Sequence, residues 1–214
     1  MGKVRFGIGG ILMIAAMLIS DSFAVLGIYM FAALLHEMGH LLAAKVLKIK
    51  VKEIKFGFSG VRIVTDERLT SYKSEIILAM SGPLVNIGVF CASWAVFSFR
   101  GDGGEGMLTS LDAFWVSSEL EKWGMLAFLA LSSLIQAILN LLPVKTFDGG
   151  RILSCATAQF IGDRASEWIL SVTSAFSALI LWILSLYLML RVGGGLGIYV
   201  FAACIFASVA AGER

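Results

Sequence analysis

The sequence predicts an all-α polytopic membrane protein of about six transmembrane helices, with a short membrane-associated β-hairpin between helices 2 and 3. Three observations support this fold class: an apolar composition, recurring long apolar stretches, and an uneven distribution of basic residues. Of the 214 residues, 58% are hydrophobic and only 15% are charged, whereas soluble domains have about 25% charged residues. A lipid bilayer is therefore expected to surround much of this chain.

The apolar stretches are long enough to cross the hydrocarbon core of a bilayer, which requires about 20 helical residues. Six are predicted, at Phe6–Ser20, Ser22–Ala44, Ile76–Phe99, Trp123–Leu142, Trp168–Leu190 and Leu196–Ala211. The first is short, and because Lys3 and Arg5 precede it, Met1–Ser20 also fits a cleaved signal peptide. A poor cleavage site around Asp21 favours a retained span instead.

Basic residues predict which side of the membrane each connection occupies, because cytoplasmic connections retain Lys and Arg. Eight basic residues lie from Lys45 to Lys73, and three more lie between the fourth and fifth spans. The connection from Arg100 to Lys122 instead contains five acidic residues. With six spans, the N-terminus, the Lys45–Lys73 segment and the C-terminus are all expected in the cytoplasm.

The segment Ile49–Val64 joins the second and third spans and alternates β-branched or aromatic residues with Lys and Glu, interrupted by Gly57 and Gly60. This pattern predicts a short hairpin, and an ordinary amphipathic loop is the alternative. Because irregular backbone is not tolerated in lipid, the strands should lie at the membrane interface or beside a wet cavity. No repeat or low-complexity tract divides the chain, so residues 1–214 are expected to form a single domain.

Two other site classes find little support in the composition. No concentrated basic patch with interleaved aromatic residues is present, so nucleic acid is not an expected partner. The three cysteines, Cys91, Cys155 and Cys204, are widely separated and lack the paired spacing of structural zinc sites. They are interpreted as small buried apolar side chains.

The motif with the most chemical content is HEMGH, from His36 to His40, in the second span. A spacing of four places both imidazoles on one helical face as zinc ligands, with Glu37 beside the bound water as a general base. These are the only histidines in the chain, and ionisable side chains inside a membrane span usually mark function. A hydrogen-bonded packing cluster without metal is the alternative.

A catalytic zinc normally takes three protein ligands, so a third must come from another Asp, Glu or Cys. Asp148 is the best candidate, because the fourth span ends at a helix breaker, Pro143, and two permissive glycines follow the carboxylate. The charge-based topology also places His40 and Asp148 on the same side of the membrane. Taken alone, Asp-Gly-Gly is also typical of a simple turn.

Three segments together resemble the site-2 protease family of intramembrane zinc metalloproteases: HEMGH at 36–40, SGPLVN at 81–86 and LNLLPVKTFDGG at 139–150. The last two are similar to the compact bacterial branch that includes sporulation-factor processing proteases, so the bacterial inner membrane is the expected location. No PDZ-sized insertion or nucleotide-sensing domain is expected. The SGPLVN segment either shapes the third helix, with Asn86 contacting the site, or provides only close helix packing.

The resemblance implies one zinc ion per chain, held by His36, His40 and Asp148, with Glu37 as the catalytic base. It also implies a catalytic position for Asn140, near the substrate or the oxyanion. An alternative role for Asn140 is to satisfy backbone carbonyls near the break in the fourth helix.

The predicted function is hydrolysis of a peptide bond within or near a transmembrane segment, that is, regulated intramembrane proteolysis. The expected partners are a membrane-protein substrate and the lipid bilayer, and the sequence leaves open a homo-oligomer or an inhibitory membrane protein. A catalytically inactive membrane-binding protein of the same fold is the main alternative. A metal transporter fits less well, because the polar groups cluster toward one face, and a di-iron oxygenase would need more ligands.

Overall fold

The computed structural model describes residues 3–6, 23–49, 51–57, 60–65, 71–101, 105–109, 122–192, 202–203, 205–206 and 209. Residues 105–109 form a short helical segment. The longer elements are β1 (Lys3–Phe6), α1 (Phe23–Val46), β2 (Val51–Gly57), β3 (Gly60–Thr65), α2 (Tyr72–Phe99), α3 (Lys122–Asn140), α4 (Asp148–Ile161) and α5 (Asp163–Val192).

Three helices are long and apolar enough to cross a membrane, over Tyr72–Phe99, Trp123–Asn140 and Asp163–Arg191. They contain most of the third, fourth and fifth predicted spans and mark the chain as a membrane protein. Helix α1 contains all but the first residue of the second predicted span. Most residues of the first and sixth predicted spans lie outside the described residues, so the number of six stays a prediction.

The described strands form one sheet in the order β1-β2-β3. Strands β2 and β3 pair antiparallel, with Gly57 opposite Gly60, in the segment for which the sequence predicts a hairpin. Strand β1 pairs parallel with β2, with Lys3 opposite Glu53. Strand β1 is not predictable from its sequence, because its four residues directly precede an apolar run and Phe6 fits the start of the first predicted span. Outside this sheet, the described elements are helices.

The ends of the helices follow local chemistry. Helix α2 begins after Ser71, whose hydroxyl accepts a hydrogen bond from the Lys73 backbone N–H at 3.3 Å, a typical N-cap. Helix α3 ends at Asn140, two residues before the predicted end of its span, since Pro143 has no N–H to continue the helix. Helices α4 and α5 are separated by Gly162, whose φ of 83° lies in the left-handed region.

Helix α4 was not predicted from the sequence. Its 14 residues lie in a segment that was interpreted as a connection, because Asp-Gly-Gly resembles a turn and the stretch is too short to cross a membrane. The consequence is that Asp148 is the first residue of a helix. Its position is thus set by the packing of that helix and not by a loop alone.

Helix α2 is the central element of the described fold. It packs against α1, α3 and α4, while α4 also packs against α5. Two contacts join the first turn of α2 to the helices that follow: Arg151 Nη2 lies 2.6 Å from Glu75 Oε2, and the Tyr72 hydroxyl donates to Asp163 Oδ1 at 3.0 Å. These contacts place two of the predicted basic connections at the same end of the molecule, in agreement with the charge pattern.

Candidate metal centre

Three side chains from two helices converge at one buried point. His36 and His40 lie on the same face of α1, with their Nε2 atoms 3.1 Å apart, and the two residues are 4% and 6% exposed. Oδ2 of Asp148, from the first turn of α4, lies 3.1 Å from His36 Nε2 and 3.2 Å from His40 Nε2. The structure therefore brings together the three residues that the sequence analysis named as metal ligands.

The spacing of these donor atoms fits a zinc ion. Zinc binds imidazole nitrogen and carboxylate oxygen at about 2.0–2.1 Å in tetrahedral geometry, which separates the donor atoms by about 3.3 Å. The three distances in this site are 3.1, 3.1 and 3.2 Å. Burial alone would raise the pKa of the Asp148 carboxyl, but the two adjacent imidazoles outweigh burial and hold the pKa below its ordinary value. Asp148 is thus kept as the carboxylate that a metal requires.

Glu37 lies beside these donors but in a different relation to them. One ligand atom each of His36, Glu37 and His40 lie within 4.8 Å of one another, whereas Asp148 Oδ2 lies at 3.1 and 3.2 Å from the two Nε2 atoms. Asp148 is therefore the better third ligand. Oε2 of Glu37 is buried without a hydrogen-bond partner among the described residues, an arrangement that suits a base for a small polar molecule.

Comparison with known proteins agrees with this geometry. Residues 105–184 match the model of peptidase family M50. The solved structure of the Site-2 Protease from Methanocaldococcus jannaschii superposes with a TM-score of 0.67, covering 99% of this chain and 90% of that chain at 21% identity. This chain has the site-2 protease fold. No curated protein sequence matches it.

The site-2 protease resemblance that HEMGH, SGPLVN and LNLLPVKTFDGG predicted is thereby confirmed. The match to the family model includes Asn140 and Asp148 but begins after the HEMGH motif. The structural match covers 99% of the chain and so includes both HEMGH and Asp148. The similarity to the compact bacterial branch stays a prediction.

In this site-2 protease fold, the second ring nitrogen of His40 is held by backbone. His40 Nδ1–H donates to the Leu78 carbonyl oxygen at 2.7 Å, and the Ser81 hydroxyl, 3.2 Å from Nδ1, donates to the same carbonyl at 2.6 Å. Because a carbonyl can only accept, the proton of a neutral His40 lies on Nδ1 and Nε2 presents a lone pair. Two lone pairs, on His40 and Asp148, then face each other, as they do around a cation.

Two glycines allow α1 and α2 to approach each other at the metal ligands. A Cβ atom on Gly82 would overlap His40 Nε2 and lie 2.7 Å from His36 Nε2, and a Cβ on Gly39 would lie 2.6 Å from the Ser81 carbonyl oxygen. The SGPLVN segment therefore provides close helix packing directly at the imidazoles. Asn86 of the same segment contacts the site, with Nδ2 3.3 Å from His36 Nδ1.

The glycines after Asp148 serve close approach as well. A Cβ on Gly149 would overlap the Leu141 carbonyl and lie 2.6 Å from the Leu142 carbonyl oxygen. A Cβ on Gly150 would overlap the Val144 carbonyl. Neither glycine has a positive φ. From the sequence, these glycines are expected to supply backbone freedom beside Asp148, or to form a simple turn; in the structure they seat the first turn of α4 on the 141–145 segment.

Ser174 of α5 stabilises the connection that leads to Asp148. Its fully buried hydroxyl accepts from the Lys145 N–H at 2.9 Å and donates to the Pro143 carbonyl at 3.4 Å. Ser174→Ala is expected to lower the free energy of unfolding by about 1–3 kcal/mol, the usual cost of an unpaired buried polar group. Unfolding in detergent would measure this loss. Ser171→Ala, which removes only a bond within α5, is the control, and equal losses in both variants would contradict the assignment.

Asn140 is the predicted site residue for which the described residues show no hydrogen bond to the cluster. It is the last residue of α3 and is partly buried. Within the described residues, no hydrogen bond joins its side chain to Glu37, to the three candidate ligands or to the carbonyls near Pro143. Its predicted role beside the substrate or the oxyanion stays a prediction.

Proposed function

We propose that this protein is an intramembrane zinc metalloprotease that hydrolyses a peptide bond within or near a transmembrane segment of a membrane-protein substrate. The observation that carries this proposal is the convergence of His36, His40 and Asp148 within 3.2 Å of one another, with Glu37 alongside. The match to a peptidase family and the site-2 protease fold support it.

His36 Nε2, His40 Nε2 and Asp148 Oδ2 would hold one zinc ion per chain. Bound there, zinc acts as a Lewis acid that polarises a peptide carbonyl and makes a water molecule acidic near pH 7. The burial of both imidazoles limits access of bulk water and so strengthens these electrostatic effects.

Glu37 would carry the proton in this reaction. Its carboxylate takes a proton from the attacking water and delivers it to the leaving amine, so that one group acts first as base and then as acid. The buried oxygen Oε2, which has no hydrogen-bond partner among the described residues, is the atom available for this task. Asn140, at the end of α3, would lie near the substrate or the oxyanion.

The substrate must lose helical structure before it reaches the site. A transmembrane helix satisfies its backbone internally, so its peptide carbonyls are not free to meet a metal. Strand β2 is paired on both sides, whereas β3 lies at an edge of the described sheet. An unwound substrate would add to that edge by main-chain hydrogen bonds, as extended peptides do elsewhere.

The charge pattern supports a cytoplasmic position for both termini and for the segment from Lys45 to Lys73. Cleavage products would then be released on that side. The resemblance to bacterial relatives supports the inner membrane as the location.

The proposed ligand set predicts that Asp148→Asn loses zinc. The amide keeps the size of the side chain but replaces the charged donor, so zinc affinity should fall by more than the 10–100-fold, roughly, that loss of an outer-shell partner costs. Metal content of purified protein in detergent would be measured together with cleavage of a panel of single-span substrates. Wild-type protein should contain about one zinc per chain and cleave a member of the panel.

Asp163→Asn is the matched control, because Asp163 is also the first residue of a helix but binds Tyr72 at the surface. It should retain zinc and cleavage. Full zinc content in Asp148→Asn would reject the ligand set. Zinc in the wild type without cleavage of any substrate would favour the inactive membrane-binding alternative.

A further inference from the structure

Two buried amide side chains lie behind the metal ligands. Asn86 of α2 is fully buried and Gln136 of α3 is 4% exposed. Asn86 Nδ2 lies 3.3 Å from Gln136 Oε1, and Gln136 Nε2 donates to the Tyr29 carbonyl of α1 at 3.1 Å. Because polar groups inside membrane helices are costly unless they are paired, this pair requires an explanation.

One member of this amide pair, Asn86, contacts a candidate metal ligand. Asn86 Nδ2 is 3.3 Å from His36 Nδ1, on the side of the ring opposite Asp148. Tyr29 and His36 are two helical turns apart and therefore lie on the same face of α1. The contacts thus run from α1 to α3, across to α2, and back to α1 at His36.

His36 and His40 are supported in different ways. A backbone carbonyl and a serine hydroxyl hold His40, and backbone does not change its orientation easily. A side-chain amide holds His36, and that amide depends on its own neighbours. Asn86 Nδ2 lies 3.3 Å from both His36 Nδ1 and Gln136 Oε1, and Asn86 Oδ1 has no hydrogen-bond partner among the described residues. Among those residues, Gln136 is therefore the group other than His36 that holds the Asn86 amide.

We propose that Gln136 is a positioning residue of the metal centre, which orients His36 through Asn86. The inference rests on the proposed zinc site. A metal-bound imidazole donates its second ring N–H to an outer partner, which Asn86 provides when its amide turns Oδ1 toward His36 Nδ1. Because Gln136 carries both a donor and an acceptor, it would then donate its Nε2–H to that oxygen instead of to the Tyr29 carbonyl, and so would still pair with Asn86.

The first test is the zinc affinity of Gln136→Met, which keeps the length of the side chain and removes both polar atoms. Competition with a chelator in detergent should show zinc binding weakened about 10-fold, the lower end of the range for outer-shell partners. The control is Ser133→Ala, because Ser133 is buried on the same helix and its hydroxyl has no partner among the described residues. It should bind zinc as tightly as the wild type.

The second test distinguishes action through Asn86 from a general effect on packing. Asn86→Leu should weaken zinc binding more than Gln136→Met does, and adding Gln136→Met to Asn86→Leu should cause no further loss, since coupled residues are not additive. Asn86→Ala serves the same purpose if the leucine variant does not fold.

The inference would be overturned if Gln136→Met bound zinc with wild-type affinity, or if this substitution weakened zinc binding equally in the wild-type protein and in Asn86→Leu. Either result would leave the proposed protease function unaffected. A wild-type protein that binds no zinc would overturn both.

Discussion

Glu37→Gln is expected to abolish peptide-bond cleavage while the protein retains its zinc. The amide has nearly the same shape as the carboxylate but cannot accept the proton of the attacking water. General acid–base catalysis contributes about 10²–10⁴-fold, so kcat should fall by at least about 100-fold. Zinc should stay, because Asp148 supplies the carboxylate oxygen, at 3.1 and 3.2 Å from the two imidazoles.

The measurement combines zinc content with the rate of cleavage of one single-span substrate by matched preparations. Glu167→Gln makes the same chemical change at an exposed position of α5 and should cleave at the wild-type rate. Metal-dependent cleavage that persists in Glu37→Gln would reject Glu37 as the base. Loss of zinc in the same variant would instead make Glu37 a ligand, contrary to the geometry.

Gly82→Ala is expected to prevent zinc binding although it adds a single methyl group. The new Cβ would occupy the space of His40 Nε2 and crowd His36 Nε2. The α2 backbone cannot easily retreat there, because α2 also packs against α3 and α4. The imidazoles must therefore turn away, and zinc affinity should fall by more than the 10–100-fold, roughly, that loss of an outer-shell partner costs.

Gly88→Ala is the control for this substitution. Gly88 lies on the same helix, and a Cβ there would meet nothing within 4 Å, so zinc binding should be unchanged and the alanine should favour the helix slightly. Chelator competition on both variants, together with their thermal unfolding, separates loss of the site from loss of the fold. Wild-type zinc affinity in Gly82→Ala would mean that α2 does not pack directly against the two imidazoles of the zinc site.

Features that depend on neighbours in the sequence could be predicted. The spacing in HEMGH places His36 and His40 on one face because helical periodicity is local. Long apolar runs predict membrane helices because about 20 consecutive apolar residues are needed to cross the hydrocarbon core of a bilayer. Strand β1 and helix α4 were missed because each is short and its local pattern fits another structure equally well. Asn86 was a candidate from its motif, whereas Gln136 carried no signal in the sequence.

The sequence by itself determined the chemistry that is available: two imidazoles four residues apart, a carboxylate between them, and an aspartate after a helix break. The tertiary structure decided which groups meet. Asp148 reaches His36 across 112 residues because α2 packs against both α1 and α4 and because Gly82, Gly149 and Gly150 permit close approach. Such contacts depend on the packing of whole helices, which local periodicity does not encode.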